Sequence, residues 1–201
     1  MNPVPEKLEH ENPKQPVILV RTWWLTGLPG AGKTTLAQGL ADSLRQLGRP
    51  AVILDGDELR RGVSRDLGFD DADRAENMRR VAEFAKLIND SGIDAVVALV
   101  SPTIQGRATA RQIVGDGHFF EIHVSTPLEV CRQRDPKGLY RRAGNEQFGL
   151  TGVQQPYELP PAPDFIIDTS KIELAEAISC LKKLIGGPSK FPTNESRVFQ
   201  G

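Results

Sequence analysis

A glycine-rich stretch near the start of the chain constrains the fold more than any other feature of the sequence. It reads Gly27, Leu28, Pro29, Gly30, Ala31, Gly32, Lys33, Thr34 and Thr35, which satisfies the pattern G-x-x-x-x-G-K-[ST]. The preceding run, 17–25, is apolar and rich in β-branched or aromatic residues, and leucines at helical spacing follow over 35–47. The sequence therefore predicts a strand, a loop and a helix, which is the setting that this motif requires.

Such a loop binds the phosphates of a nucleoside triphosphate. Its glycines let backbone N–H groups turn towards a phosphate, and the N-terminus of the following helix adds the positive end of its dipole. Lys33 can reach the β- and γ-phosphates, and the Thr34 hydroxyl can bind Mg²⁺. The alternative is a glycine-rich turn with one exposed lysine, and the complete motif in its expected setting disfavours it.

Length, charge and cysteine content narrow the function further. A chain of 201 residues suits one domain, and a net charge of −1 provides no global field that would attract nucleic acid or a membrane surface. The two cysteines lie far apart, so we expect neither a disulfide framework nor a zinc site. The N-terminus is polar and no stretch reaches transmembrane length, so we expect a cytoplasmic protein.

Strand and helix patterns alternate over 17–185. They predict an α/β domain of the P-loop NTPase type, with a mostly parallel five-stranded sheet between two layers of helices. We expect 1–16 to be a flexible N-terminal tail and 186–201 a C-terminal tail. Glycine, proline and polar residues dominate 144–163, and a loop of this length in a compact domain is more often a lid than a simple connection.

Two aspartates lie directly after the second predicted strand, 50–54. Because open parallel sheets bind ligands at the carboxyl ends of their strands, we expect Asp55 and Asp57 beside the phosphate-binding loop. Carboxylates in that place suit Mg²⁺ ligation and general-base catalysis on an attacking hydroxyl. Alternatively, Asp57 caps a short helix, which accounts for one aspartate better than for the pair.

Three further groups of residues offer binding chemistry, and each has a plainer interpretation. Arg74 and Asn77, three residues apart on a helix predicted over 73–91, could grip an anionic acceptor or lie on a solvated face. The basic group within 132–142 could neutralise a transferred phosphoryl group, stack on a base, or be solvated. Phe69 could pack under a planar base or anchor the core. Spacing alone leaves these alternatives open.

The sequence resembles the adenylylsulfate (APS) kinase family from about residue 24 to residue 168. The matching segments are 27–35, Leu54-Asp55-Gly56-Asp57-x-x-Arg60, Asp66-Leu67-Gly68-Phe69, Asp73-Arg74-x-Glu76-Asn77-x-Arg79-Arg80, Ser101-Pro102, Thr126-Pro127-Leu128-Glu129-Val130-Cys131, Arg134-Asp135-Pro136-Lys137-Gly138-Leu139-Tyr140, Thr151-Gly152-Val153 and Pro156-Tyr157-Glu158. The Asp-Gly-Asp triplet alone is a weak signal, whereas the string over 134–140 together with the loop over 27–35 is specific.

The resemblance implies a reaction, its substrates and an assembly. ATP and Mg²⁺ would be used to phosphorylate the 3′-hydroxyl of adenosine 5′-phosphosulfate (APS), which gives 3′-phosphoadenosine 5′-phosphosulfate (PAPS) and ADP in sulfate assimilation. The partner would be this small nucleotide, and the family's common assembly implies a homodimer.

The resemblance also implies a role for each candidate residue. The catalytic candidates are Lys33, Asp57 and Ser101, and Thr34 with Asp57 would hold Mg²⁺. ATP would be bound by the residues of 27–35 together with Arg134 and Lys137. The acceptor would be bound by Asp55, Arg60, Phe69, Arg74, Asn77, Ser101, Lys137, Leu139 and Leu150. Because in-line transfer needs no protein nucleophile, a hydrogen bond from Ser101 to the acceptor is a sufficient role for that serine.

The sequence departs from the family pattern in three places. Residues 103–107 replace a tyrosine and a later Asp-Arg pair, Leu150 replaces an aromatic residue before Thr-Gly, and 144–147 replaces a basic stretch. The acceptor could therefore be APS or another nucleotide- or sugar-linked hydroxyl. A nucleotide-binding protein without turnover is a third possibility, and the retention of Lys33 and both aspartates argues against it.

Overall fold

The structure, a computed structural model, describes residues 19–143 and 149–185. In chain order the elements are β1 (Thr22–Thr26), α1 (Lys33–Gln46), β2 (Ala51–Asp55), α2 (Gly56–Arg61), α3 (Asp71–Asp90), β3 (Asp94–Ala98), α4 (Ile104–Val114), β4 (Phe119–Val124), α5 (Leu128–Arg134), α6 (Leu139–Ala143), β5 (Phe165–Ile167) and α7 (Leu174–Ile185). Strands and helices alternate along most of the chain, as the sequence predicts.

The strands form a five-stranded parallel sheet in the order β2-β3-β1-β4-β5. Strand β1 lies at its centre, with Thr22 opposite Ala95 of β3 on one side and Phe119 of β4 on the other. Because all strands run in the same direction, the segments that follow them meet at one edge of the sheet. The predicted α/β class with a parallel sheet is confirmed.

Helices cover both faces of the sheet. Helices α1 and α7 pack on the face that includes Trp23, and α3 and α4 pack on the face that includes Trp24. The Trp23 ring lies 5.1 Å from that of Phe120, and the Trp24 ring lies 5.3 Å from that of Phe119. Neighbouring residues of a strand point to opposite faces, so β1 and β4 each supply both halves of the core. The three-layer arrangement follows from this alternation.

The structure revises one local prediction at the end of β2. The helix cap there is Asp55 and not Asp57, because the Asp55 carboxylate accepts a hydrogen bond of 2.9 Å from the Asp57 N–H. Helix α2 has six residues, which is too short for a periodic apolar pattern to reveal it. By contrast, the longer helix predicted over 73–91 is found as α3, two residues earlier at its start.

The predicted tails, 1–16 and 186–201, lie outside the described residues, as does 144–148 of the predicted lid. The remainder of that lid, 149–163, contains turns and one isolated bridge between Thr151 and Gln155. Among the described helices, none has the length and apolar character needed to cross a bilayer.

Strand β4 buries a titratable group that should make stability depend on pH. His123 is 8% exposed and stacks on Tyr157 with ring centroids 6.0 Å apart. Burial, aided by the nearby charge of Arg107, lowers the pKa of His123 to about 4. Between this value and the ordinary pKa of about 6.5, the unfolded chain binds the proton that the folded chain does not, so stability falls as pH falls.

We therefore expect His123 to contribute a loss of up to about 1.4 kcal/mol of unfolding free energy per pH unit as pH falls from 6.5 towards 4. His123→Gln should lower stability at pH 7.5, because it loses ring packing, yet show a shallower decline between pH 6 and pH 4.5. Urea unfolding at several pH values measures both slopes. Parallel slopes for the two proteins would contradict the assignment.

Candidate functional site

A cleft of about 1060 Å³ opens at the carboxyl edge of the sheet. Its walls come from the segments that follow β1, β2, β3 and β5, from the start of α3, from 134–140 and from 149–151. The predicted site residues that line it are Pro29, Gly30, Gly32, Lys33, Thr34, Thr35, Asp55, Asp57, Arg60, Phe69, Arg74, Asn77, Ser101, Arg134, Lys137, Leu139 and Leu150. Three predicted residues, Gly27, Leu28 and Ala31, are not among the lining residues.

The loop over 27–32 requires glycine for steric reasons. Gly27 has a φ of 152°, and a Cβ atom there would collide with the backbone oxygen of Val124 on the neighbouring strand. Gly30 has a φ of 75°, and a Cβ atom there would lie 3.0 Å from the Cys131 backbone oxygen. Any larger residue would push the loop away from β4 and α5. The motif glycines thus hold the loop close to the sheet as well as making it turn.

Lys33 lies under the loop and bonds to its backbone. Its Nζ donates to the carbonyl oxygens of Gly27 and Leu28, each at 2.8 Å. The side chain is 9% exposed, and burial lowers the pKa of Lys33 to about 8. The hydrogen bonds of this buried ammonium go to neutral carbonyls, and a phosphate in the loop would give it a charged partner.

Oxygen donors suitable for a divalent cation meet beside the loop. The Thr34 hydroxyl donates to the Asp55 carboxylate at 2.7 Å, and the Asp57 carboxylate lines the same cleft. Among the described residues, no group of three or more acidic, histidine or cysteine side chains forms a complete metal site. This set fits Mg²⁺, which protein sites commonly hold through one or two carboxylates, water and substrate phosphates. The bond from Thr34 adds Asp55 to Thr34 and Asp57, the two Mg²⁺ ligands that the family resemblance implies.

Asp57 is bonded to a lysine from the far side of the cleft. Its Oδ2 and the Lys137 Nζ form an ion pair, and both side chains are 53% exposed. Solvent screens such a pair, so it contributes little to stability and can be exchanged for a bond to a ligand. The pair brings the predicted base and the lysine of the 134–140 string to one place.

Phe69 lies on the cleft wall, and the guanidinium groups of two arginines lie close to its ring. The Arg60 guanidinium lies 4.4 Å from the ring centroid, and Arg60 also donates 2.6 Å to the Gly68 carbonyl. Arg74 donates to the Phe69 carbonyl at 2.8 Å and to the Gly149 carbonyl at 2.7 Å. Phe69 is 47% exposed, so it is no core anchor. An aromatic ring close to two cations suits a planar anionic ligand.

Two buried polar side chains complete this wall. Asn77 is 2% exposed, and within the described part of the chain its Oδ1 has no hydrogen-bond partner. Ser101 is 1% exposed, and its Oγ accepts a hydrogen bond of 2.9 Å from the Trp24 indole N–H. Trp24, which packs in the core, therefore also fixes the serine. The Asn77 amide oxygen is thus a buried acceptor without a donor, in a residue that lines the cleft.

The sequence missed a residue that ties the loop to the opposite wall. Thr169 Oγ1 donates 2.9 Å to the Ala31 carbonyl and accepts 2.6 Å from Arg134, which also bonds to the Thr169 carbonyl at 2.8 Å. Tyr140 similarly donates to the Pro29 carbonyl at 2.8 Å. The position of Thr169 directly after a parallel strand was the available signal.

Comparisons with known proteins agree with this geometry. The family model described as adenylylsulphate kinase matches residues 20–168. An adenylyl-sulfate kinase from Shewanella halifaxensis is 48% identical over 169 residues, which cover 84% of this chain and 80% of that protein.

Solved structures agree as well. The Mycobacterium tuberculosis APS kinase CysC, in complex with AMPPNP and APS, superposes with a TM-score of 0.79 at 40% identity, covering 84% of this chain and 98% of that one. A hexameric APS kinase from Thiobacillus denitrificans gives a TM-score of 0.61 at 35% identity, covering 80% of this chain and 28% of that longer one. Because the family model matches most of the sequence and the relatives are this similar, this chain belongs to the adenylylsulfate kinase family.

Proposed function

We propose that this protein transfers the γ-phosphoryl group of ATP to the 3′-hydroxyl of APS, giving PAPS and ADP. The observation that carries the proposal is the joining of two different binding surfaces in one cleft. One is the phosphate-binding loop, and the other is the wall formed by Phe69, Arg60, Arg74 and Asn77. A donor triphosphate on the first surface would point at an acceptor nucleotide on the second.

The donor side binds phosphate by charge and by backbone N–H groups. Lys33 would exchange its bonds to the loop carbonyls for bonds to the β- and γ-phosphates, which gives the buried ammonium a charged partner. Arg134, held by Thr169, would lie beside the base of ATP. The α1 N-terminus at Lys33 directs the positive end of its dipole into the same place.

The acceptor side binds a base and a sulfated phosphate. The adenine of APS would stack on Phe69, while Arg60 and Arg74 carry the positive charge that its anionic group requires. Leu139 and Leu150 would cover the ligand from the lid side, and Asn77 and Ser101 would offer hydrogen bonds to its polar atoms. A simple sugar has neither a base nor an anionic group, so these contacts would favour a nucleotide as the acceptor.

In-line transfer then needs one base and several cations. The 3′-oxygen bonds to the γ-phosphorus as that phosphorus separates from the bridging oxygen, which leaves with ADP. Asp57 accepts the hydroxyl proton once Lys137 has turned from it to the phosphates. Thr34, Asp55 and Asp57 would hold Mg²⁺, which supplies charge neutralisation on the phosphate oxygens when bound.

A second candidate is phosphorylation of another nucleotide- or sugar-linked hydroxyl. It is favoured by Leu150, which is 5% exposed and lines the cleft where the family has an aromatic residue. The altered segment 103–107, by contrast, forms the start of α4, where the Thr103 hydroxyl accepts a bond of 3.1 Å from Gly106. Because Thr103 serves as the cap of α4, the altered segment has a structural role within the helix. Leu150 is therefore the stronger reason to consider another acceptor.

Assembly and location are further parts of the proposal. We propose a homodimer, for which sedimentation equilibrium should give the mass of two chains; the mass of one or six chains would contradict it. A cytoplasmic location suits an enzyme that uses ATP, and it suits Cys131 and Cys180, which are buried free thiols.

The deciding experiment measures ADP release from ATP and Mg²⁺ with and without APS, and identifies the nucleotide product by chromatography. APS-dependent ADP release with PAPS in equal amount is the expected result. ATP binding without APS-dependent turnover would overturn APS as the acceptor, and a panel of nucleotides and sugars would then be tested in the same assay.

Lys33→Ala should lower kcat by at least about a hundredfold, because it removes a cation from the transferred phosphoryl group. Lys86→Ala is a matched control, since Lys86 pairs with Asp90 on the exposed side of α3. Steady-state rates of both variants, with circular dichroism to compare their folds, give the test. Wild-type turnover by Lys33→Ala would exclude the assigned phosphate site.

Leu150→Phe should lower KM for APS about tenfold, because a second ring facing Phe69 adds base stacking of about 1–3 kcal/mol. KM for ATP should not change, since the loop over 27–35 is untouched. Leu159→Phe is the control, because Leu159 is 66% exposed and absent from the cleft lining. An unchanged KM for APS would show that this part of the lid does not contact the base.

A further inference from the structure

We propose that Arg107 is a positioning residue, which holds the backbone of Ser101 in the shape that acceptor binding needs and joins it to the end of the lid. The proposal rests on the proposed function, because Ser101 is useful only if an acceptor occupies that wall of the cleft. Arg107 itself does not line the cleft. Its effect on the reaction would pass through the residues that it bonds.

The Arg107 guanidinium is bonded on three sides. Nη1 donates 2.7 Å to the Ser101 carbonyl, Nη2 donates 2.7 Å to the Glu158 carbonyl, and Nε lies 3.0 Å from the Glu121 carboxylate. The side chain is 3% exposed, so these partners replace water entirely. One residue of α4 thus connects the segment after β3, the strand β4 and the end of the lid.

Ser101 needs such support because its backbone is strained. Its φ is 49°, in the left-handed region that residues other than glycine seldom adopt because it is energetically costly. Trp24 holds its hydroxyl from one side, and Arg107 holds its carbonyl from another. A strained residue on a ligand-binding wall persists only where its surroundings over-determine it. Arg107 supplies the bond to the main chain.

The same arginine reaches the end of the lid. The Glu158 N–H donates 2.8 Å to the Pro102 carbonyl, and the Glu158 carboxylate accepts 2.6 Å from the N–H of Ile104 at the start of α4. Tyr157 hydrogen-bonds to Thr26 at 2.9 Å, and its ring lies 5.7 Å from the Arg107 guanidinium. A movement of the lid end would therefore displace Arg107 and, through it, the Ser101 carbonyl.

A lysine could not do the same work. Its ammonium could remain paired with Glu121, but it has no planar fork to reach two carbonyls in fixed directions at once. Arg107→Lys therefore keeps the buried charge while releasing the Ser101 or Glu158 carbonyl. Arg111→Lys is the matched control. Arg111 lies one turn further along α4 and bonds to Asp164 at 2.9 Å; its guanidinium also lies 3.8 Å from the Glu121 carboxylate.

The first readout is kinetic. Arg107→Lys should raise KM for APS at least fivefold and leave KM for ATP within twofold, whereas Arg111→Lys should change neither by more than twofold. Equal changes in both constants, or the same change in the control, would overturn the positioning role. If Arg107→Lys does not fold, Glu121→Gln decides, because it keeps the size of the side chain and removes the charge that Arg107 Nε faces at 3.0 Å. It should raise KM for APS alone, and a normal KM would overturn the proposal.

The second readout does not depend on activity. The indole N–H of Trp24 bonds to Ser101, so its ¹H–¹⁵N resonance reports the position of that serine. It should move in Arg107→Lys and stay in place in Arg111→Lys. An unmoved resonance would overturn the proposal even if kinetics changed. If the wild-type protein does not use APS, the proposed function fails, and the resonance still decides whether Arg107 holds Ser101.

Discussion

The complete burial of β1 is the constraint on which the rest of the structure depends. All of its residues are inaccessible, it pairs with strands on both sides, and Trp23 and Trp24 pack into opposite halves of the core. A strand in this position cannot shift without disturbing both faces, because its side-chain alternation is locked. The phosphate-binding loop begins at the carboxyl end of β1, so the start of the loop is held in a fixed position. Trp24 extends this restraint to the acceptor wall through Ser101.

The lysines that line the cleft have partners that a bound ligand could replace. Lys33 bonds to neutral carbonyls under the loop, and Lys137 bonds to Asp57 across the cleft. A polyphosphate can replace both sets of partners. The bonds of Lys33 are to neutral carbonyls, which are weaker than bonds between ions, and the pair of Lys137 with Asp57 is exposed and screened by solvent. Arg107 is different, since it is itself buried and its charged partner is the buried carboxylate of Glu121. We therefore expect two kinds of cation here. Lys33 and Lys137 would exchange their partners when a ligand binds, whereas Arg107 would keep its partners and so maintain the shape of the cleft wall.

Much of the site was predictable because its residues follow parallel strands or belong to an unbroken motif. The loop over 27–35, Asp55 and Asp57 needed only sequence order and the rule that ligands bind at the carboxyl ends of strands. Residues such as Thr169 and Arg107 were missed, because their roles rest on contacts to positions 138 residues and 51 residues away in the chain. Neither has a neighbouring motif to mark it. The link between Trp24 and Ser101 was missed for the same reason.

The sequence by itself determined the α/β class, the phosphate-binding loop and the family. Each is encoded in local patterns, which can be interpreted without knowing which other segments they contact. Periodicity tells a strand from a helix, and glycines at fixed spacing specify a turn. Only the tertiary structure decided that Asp55 bonds to Thr34, that Phe69 lies close to Arg60 and Arg74, and that one arginine bonds to the carbonyl of the strained serine. Those facts depend on distances between residues remote in the chain, which the packing of helices on the sheet determines.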